Sequence, residues 1–441
     1  MQRYALEKLK TWNTSKNRKP LIIRGARQVG KTWLVEEFAR QSFKHFASIN
    51  FLNNEIVQQF FSGSLEPKRT LAALGAYTNT NLLDGETLLF LDEIQECPRA
   101  ITALKMFCEQ TPQIPVIAAG SLLGVALNRD DATKSMSRIS WPVGKVDYLD
   151  LFPMTFSEFL RALGDNSLAD LIIEKDYELI SAMGESFEDR LRSYLYVGGM
   201  PAAVQAYIST GLLSEARQIQ DALLIDYEHD FSKHISSPLE AEHIRETWRS
   251  VPLQIARENG SKKFIYSQVR PGGRGRDYKD AISWLADAGL VTKVNRITRP
   301  GVPLSAYTDP TSFKLYLLDV GLLGAALHLN EKTLFSGDAL FTHAKGTYSE
   351  QFVCQQLIAS KKLPAYWSAD GKQSKNEIDF ICEHNGEVIP LEVKAGINVK
   401  SKSLAQFAKE FSLSHCIRFS LAGYEEQGWM KNLPLYAAES L

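Results

Sequence analysis

Eight consecutive residues constrain this chain more than anything else in it. Gly25, Ala26, Arg27, Gln28, Val29, Gly30, Lys31 and Thr32 spell G-x-x-x-x-G-K-T. In that pattern the glycines let backbone N–H groups curl around phosphates, the lysine reaches the β- and γ-phosphates, and the threonine hydroxyl holds Mg²⁺. The chemistry requires a strand before the loop and a helix after it. The apolar run Leu21 to Ile23 and the helical stretch Trp33 to Arg40 supply both. Further on, Thr87-Leu-Leu-Phe-Leu91 is an apolar strand that delivers Asp92 and Glu93 at its C-terminal end. Asp92 suits an outer-shell partner of Mg²⁺, and Glu93 suits the orientation and polarisation of an attacking water. A third apolar strand, Val116 to Ala119, leads through Gly120 to Ser121, a candidate contact for the γ-phosphate or the water. Together these motifs predict ATP and Mg²⁺ as cofactors, with Thr32 and Asp92 on the metal side. Efficient hydrolysis also calls for an arginine finger. Arg138 is the candidate, with Arg99 behind it.

The strand-like runs of the first 150 residues, closed by Val146 to Leu151, alternate with helical segments. That alternation predicts an α/β core with a parallel sheet covered on both faces. A helical lid is expected over 151–238, broken by the turn Gly198-Gly199-Met200-Pro201. From 239 to 320 come helices, of which Asp277 to Leu290 is the clearest, and then two strand-like segments, Val291 to Asn295 and Phe313 to Leu318. Helices followed by a β-ribbon outline a winged helix. Residues 321–441 hold a helix, Ser349 to Ile358, and two strands, Ile378 to Glu383 and Glu387 to Lys394, joined at His384-Asn385-Gly386. Asn-Gly between alternating apolar runs signals a hairpin.

Composition narrows the class. At 44% hydrophobic and 23% charged residues the chain is of globular type, which excludes collagen-like, disordered and coiled-coil readings. The longest nearly uncharged apolar stretch, Pro115 to Leu127, is too short for a bilayer, which needs about 20 residues. MQRYALEKLK lacks the apolar core of a signal peptide, and five scattered cysteines without a C-x-x-C pair fit neither a disulfide framework nor a zinc ribbon. The expected location is the cytoplasm, away from membranes. With 50 basic and 51 acidic residues the net charge points to no partner, but 261–300 carries nine cations against three anions. Its core is the loop Arg270-Pro-Gly-Gly-Arg-Gly-Arg276, suited to sequence-independent neutralisation of DNA phosphates. Tyr266 and Tyr278 offer rings for stacking on bases.

Strand alternation puts Glu377 and Asp379 on one face, and likewise Glu392 and Lys394. The hairpin pairs the two strands, and Glu350 on the preceding helix could add a third carboxylate beside Asp379 and Glu392. Three carboxylates with Lys394 suit a Mg²⁺-dependent phosphodiesterase.

Gly25 to Thr32, Leu91-Asp92-Glu93-Ile94, Gly120-Ser121, Leu151 to Phe159 and Gly198-Gly199-Met200-Pro201 resemble the prokaryotic AAA-type ATPases that carry a C-terminal domain of unknown function. The likeness runs essentially from end to end. It implies that the C-terminal part, from Leu315 through Glu350, Glu377 to Phe380 and Glu392-Val393-Lys394, resembles the PD-(D/E)xK nuclease fold. The expected function is a Mg²⁺-dependent ATP-binding and hydrolysing switch or motor engaging nucleic acid. Two alternatives stand beside it, an ATP-licensed nuclease and an ATP-gated protein-interaction module that does not cut. A homo-oligomer is compatible with each, since a neighbouring copy could supply the arginine finger.

Overall fold

Strands β1 (Leu21–Arg24), β2 (His45–Asn50), β3 (Thr87–Asp92), β4 (Val116–Ala119) and β5 (Asp147–Asp150) arise from the five apolar runs of the first third of the chain. They are seen in a computed structural model that describes residues 1–121, 123, 141–233, 235, 237–257, 263–332, 339–369, 376–397 and 400–441. Arg138 and Lys262 lie outside the described residues. The strands form one sheet in the order β2-β3-β4-β1-β5, every neighbouring pair parallel. Parallel strands covered on both faces read as unbroken apolar runs, and β3 and β4 are buried along their whole length. The core on one side packs Ile22, Leu89 and Leu91 against Ile101, Leu104 and Phe107 of the helix Pro98–Gln110. Because the order places β4 between β3 and β1, the C-terminal ends of these three strands lie side by side. The loops carrying Gly25, Glu93 and Ser121 leave from those ends.

This sheet belongs to one of two compact units, comprising Gln2–Phe152 with Asp287–Gly289. The other comprises Met1, Pro153–Ala286 and Leu290–Leu441. It opens with the helix Phe156–Leu163, whose start is fixed by a capping box in which Thr155 and Glu158 bond each other's backbone N–H. Helices Gly184–Val197, Pro201–Thr210, Leu213–Lys233, Pro238–Ile255 and Gly275–Asp287 follow.

An eight-stranded sheet completes this unit. Its strands are β6 (Val291–Ile297), β7 (Thr308–Leu317), β8 (Ala365–Ser368), β9 (Glu377–His384), β10 (Glu387–Val393), β11 (Cys416–Ser420), β12 (Glu425–Gln427) and β13 (Met430–Pro434), in the order β12-β13-β11-β10-β9-β8-β6-β7. The ribbon expected as the wing of a domain ending at 320 is β6–β7. Here β6 offers its second edge to β8, pairing Arg296 with Tyr366 and Ile297 with Trp367, so the ribbon continues the sheet of the C-terminal strands. The β9–β10 hairpin turns at Asn385 and Gly386, whose φ of 52° and 78° is the left-handed pair an Asn-Gly turn supplies.

One buried carboxylate ties this unit's helices to its sheet. Asp319, at the corner after β7, accepts the N–H groups of Gly199 (2.6 Å) and Leu322 (3.1 Å) and the amide of Gln355 (3.0 Å). Gly198, with φ 70°, has no room for a Cβ because the Asp319 carboxylate fills that space. The Gly-Gly-Met-Pro turn is therefore shaped around Asp319. Burial raises the Asp319 pKa, against the three donors that hold its charged form. Asp319→Ala leaves buried donors unpaired and is expected to destabilise this unit by roughly 3 kcal/mol, measured as an earlier urea transition.

Candidate functional site

The loop Gly25–Gly30 owes its shape to three residues. Gly25 (φ 153°) passes so close to the Leu151 carbonyl that a Cβ would collide with it, and Gln28 (φ 68°) and Gly30 (φ 92°) are left-handed. Ala26 and Val29 are buried and anchor the loop, while Gln28 is exposed and Arg27 half-buried. Arg3 holds it from behind, donating to the carbonyls of Val29 (3.1 Å) and Phe152 (2.7 Å). Arg3 is itself 5% exposed, and nothing in the motif announces it. The helix Lys31–Ser42 starts at Gly30, so its first N–H groups and positive dipole end face the loop.

Lys31 is buried, and its Nζ donates to the carbonyls of Gly25 (3.0 Å) and Ala26 (2.8 Å) and to Ser121 Oγ (3.4 Å). Desolvation brings its pKa down to about 8, against the pull of Glu93 and Asp92. Thr32 Oγ1 donates to Asp92 Oδ2 at 2.9 Å. Asp92 Oδ1 accepts the N–H of Glu93 at 3.0 Å, and burial raises the Asp92 pKa. A hydroxyl and a carboxylate, both hard oxygen donors, thus meet at the start of the helix and the end of β3. That donor set fits Mg²⁺.

Glu93 has a left-handed backbone (φ 50°), a conformation that costs a non-glycine residue about 1 kcal/mol or more. Gln95 Nε2 donates to Glu93 Oε2 at 2.5 Å, a positioning contact the sequence did not reveal. Ser121 is buried at the end of β4. The structure therefore brings together Lys31, Thr32, Asp92 and Ser121 by direct contact, with Glu93 beside Asp92. Arg99 is engaged elsewhere, donating to the carbonyls of Phe61 and Gly63.

In the other unit the hairpin sets Asp379 against the backbone of the neighbouring strand. Asp379 Oδ2 accepts the N–H of Val393 at 2.8 Å, and Lys394 Nζ lies 2.7 Å from Glu392 Oε1. Tyr316 Oη donates to Glu350 at 3.3 Å. Burial and the neighbouring Glu350 push the Asp379 carboxyl well above the usual range, against Lys314, the Val393 N–H and Lys394. Sequence reasoning missed Lys314, whose Nζ sits 2.5 Å from Glu377 Oε1. Among the described residues no three His, Cys, Asp or Glu side chains are grouped to hold a metal ion.

The basic segment is only partly available to a ligand. Arg296 is spent on Asp309 (3.2 Å) and the Ser368 carbonyl (2.7 Å), and Lys263 donates to Ser312 (2.8 Å). Arg270, Arg274, Arg276, Lys279, Lys293 and Arg299 are exposed. Tyr278 cannot stack on a base: it is 2% exposed and its hydroxyl donates to Glu246. Tyr266 packs edge-on against Phe264 and Phe313.

Comparison with known families divides the chain in three. Residues 17–160 match the AAA domain. This segment is an AAA domain. Residues 188–333 match a domain of unknown function (DUF8612), and 345–436 another (DUF4143). No curated protein matches the chain. Among solved structures it is similar to a Walker-type ATPase of Pyrococcus abyssi, with 14% identity, 74% of this chain and 95% of that chain covered, and a TM-score of 0.44. It is also similar to the Aeropyrum pernix ORC1 protein in complex with DNA, with 14% identity, coverage of 74% and 90%, and a TM-score of 0.29. Among the described residues no helix is long and apolar enough to cross a membrane.

The AAA domain's lysine sets a pH dependence. Bound phosphates favour the ammonium, so the complex stays protonated while free Lys31 titrates near pH 8. Binding above that pH takes up a proton. The dissociation constant of a fluorescent ATP analogue is expected to stay flat from pH 6.5 to 7.5 and to rise by up to about tenfold per unit above 8.

Proposed function

We propose that the chain is a Mg²⁺-dependent ATP-binding and hydrolysing switch or motor whose cycle is coupled to nucleic-acid engagement. The observation that carries this reading is the meeting of Lys31 with Ser121, and of Thr32 with Asp92, at the ends of β1, β3 and β4. ATP would lie along the loop Gly25–Gly30, with the phosphates on the N–H groups at the start of the helix Lys31–Ser42. Lys31 Nζ, now on two loop carbonyls, turns to the β- and γ-phosphate oxygens. Thr32 and Asp92 would hold Mg²⁺, which neutralises phosphate charge when bound. Glu93 orients a water on the far side of the γ-phosphate and takes its proton, and Ser121 Oγ contacts the γ-phosphate. The six exposed cations between 270 and 299 support contact with a phosphate backbone, without base reading.

Glu93→Gln keeps the shape and removes the base. Steady-state hydrolysis is expected to fall by about a hundredfold or more while nucleotide affinity changes little. Turnover equal to wild type would refute the role of Glu93. In the same assay duplex DNA should stimulate the wild type, and charge reversal of Arg270, Arg274 and Arg276 should remove the stimulation without changing the basal rate. Stimulation that survives this reversal would move the nucleic-acid contact elsewhere.

A further inference from the structure

The C-terminal cluster looks at first like a metal site: Glu350, Asp379 and Glu392 with Lys394 at its rim. Its interior holds something the motif does not contain. Lys314 leaves β7 on the face of the sheet where its side chain passes over the Tyr366 ring of β8, with Nζ 4.9 Å from the ring centroid. It ends 2.5 Å from Glu377 Oε1 on β9. Lys314 is 1% exposed. An ammonium this deeply buried is unstable alone. Burial lowers its pKa, yet the fields of Glu377, Glu350 and Asp379 together outweigh that and hold it above the ordinary lysine value. The carboxylates of the cluster therefore already share a resident cation.

We infer that the Lys314 ammonium takes the place a divalent cation would occupy among Glu350, Glu377 and Asp379, so that the C-terminal site already holds its cation and binds no catalytic metal. The nearby carboxylates have protein partners as well. Asp379 Oδ2 is committed to the Val393 N–H, Glu350 accepts from Tyr316, and Glu392 Oε1 is paired with Lys394. Glu392 Oε2 is buried without a hydrogen-bond partner among the described residues. Lys394, 37% exposed at its side chain, is the cation of the cluster that solvent can reach, which suits a surface that holds a phosphodiester without cutting it.

The test is Mn²⁺ binding to the full-length, nucleotide-free chain, read from the loss of the free-ion paramagnetic resonance signal. Thr32→Ala is included to silence the phosphate-loop site. The wild-type cluster is expected to take up no Mn²⁺ at a free concentration of about 1 mM, the weak end for oxygen-ligand sites, and supercoiled DNA should stay intact in Mg²⁺ or Mn²⁺. Lys314→Met, and Lys314→Gln if the first does not fold, should gain one Mn²⁺ that Asp379→Asn removes again. Stoichiometric Mn²⁺ binding by the wild-type cluster, abolished by Glu392→Gln, would overturn the inference whether or not the lysine variants fold. A folded Lys314 variant that binds no Mn²⁺ would overturn it as well.

Discussion

The hydrogen bond from Thr32 to Asp92 joins two segments that lie far apart in the sequence, and the nucleotide site depends on it. Its 2.9 Å length requires that the helix Lys31–Ser42 begin within reach of the last residue of β3. That in turn requires the strand order that sets β4 between β3 and β1. The parallel sheet is thus more than a scaffold. It delivers the N-terminal end of a helix, two carboxylates and a serine to one edge, where backbone N–H groups and side-chain oxygens can share a phosphate and a metal. Arg3 and the Leu151 carbonyl fix the loop from behind, so the site is largely formed before nucleotide arrives.

The same residue type is used in opposite ways in the two units. Lys31 and Lys314 are both buried, and burial is the largest influence on each. At Lys31 the neighbouring carboxylates do not make up for the lost water. Its pKa falls, and the ammonium rests on carbonyl dipoles that phosphates would replace. At Lys314 three carboxylates more than compensate, so the ammonium is fixed in place. One lysine is poised for an incoming anion; the other is the counter-ion of carboxylates already in the fold. Loss of one partner from a buried pair of the second kind costs about 3–5 kcal/mol, so Lys314 is structural as well as electrostatic.

Legibility in the sequence followed the physics of each feature. The phosphate loop was readable because its backbone needs and its chemical needs fall on adjacent residues, glycines at left-handed or crowded positions and then Lys31 and Thr32. The strands β3 and β4 were readable because both of their faces are buried, and the Asn385-Gly386 hairpin because only a left-handed pair closes it. Arg3 and Lys314 were not readable, since each acts across the fold on a partner that no spacing rule links to it, and Gln95 reaches Glu93, two residues before it, through a turn that no motif announces. Tyr278 could have been placed correctly. It shares a helical stripe with Ala281, Ile282 and Leu285, all buried, which marks it as core and not as a stacking platform. The continuation of the β6–β7 ribbon into a larger sheet was not readable, because a two-stranded ribbon and the edge of a larger sheet have the same alternation and the pairing of β6 with β8 is fixed by tertiary contacts alone.

The central claim is that the strand ends of the AAA domain form a nucleotide site organised around Lys31. Calorimetric titration of Mg·ATP into the wild type and into Lys31→Ala at pH 7 tests it most directly. Saturable one-to-one binding by the wild type, weakened by about a hundredfold or more in the variant, is the expected result. Equal affinity for both proteins, or no binding by either, would contradict the account.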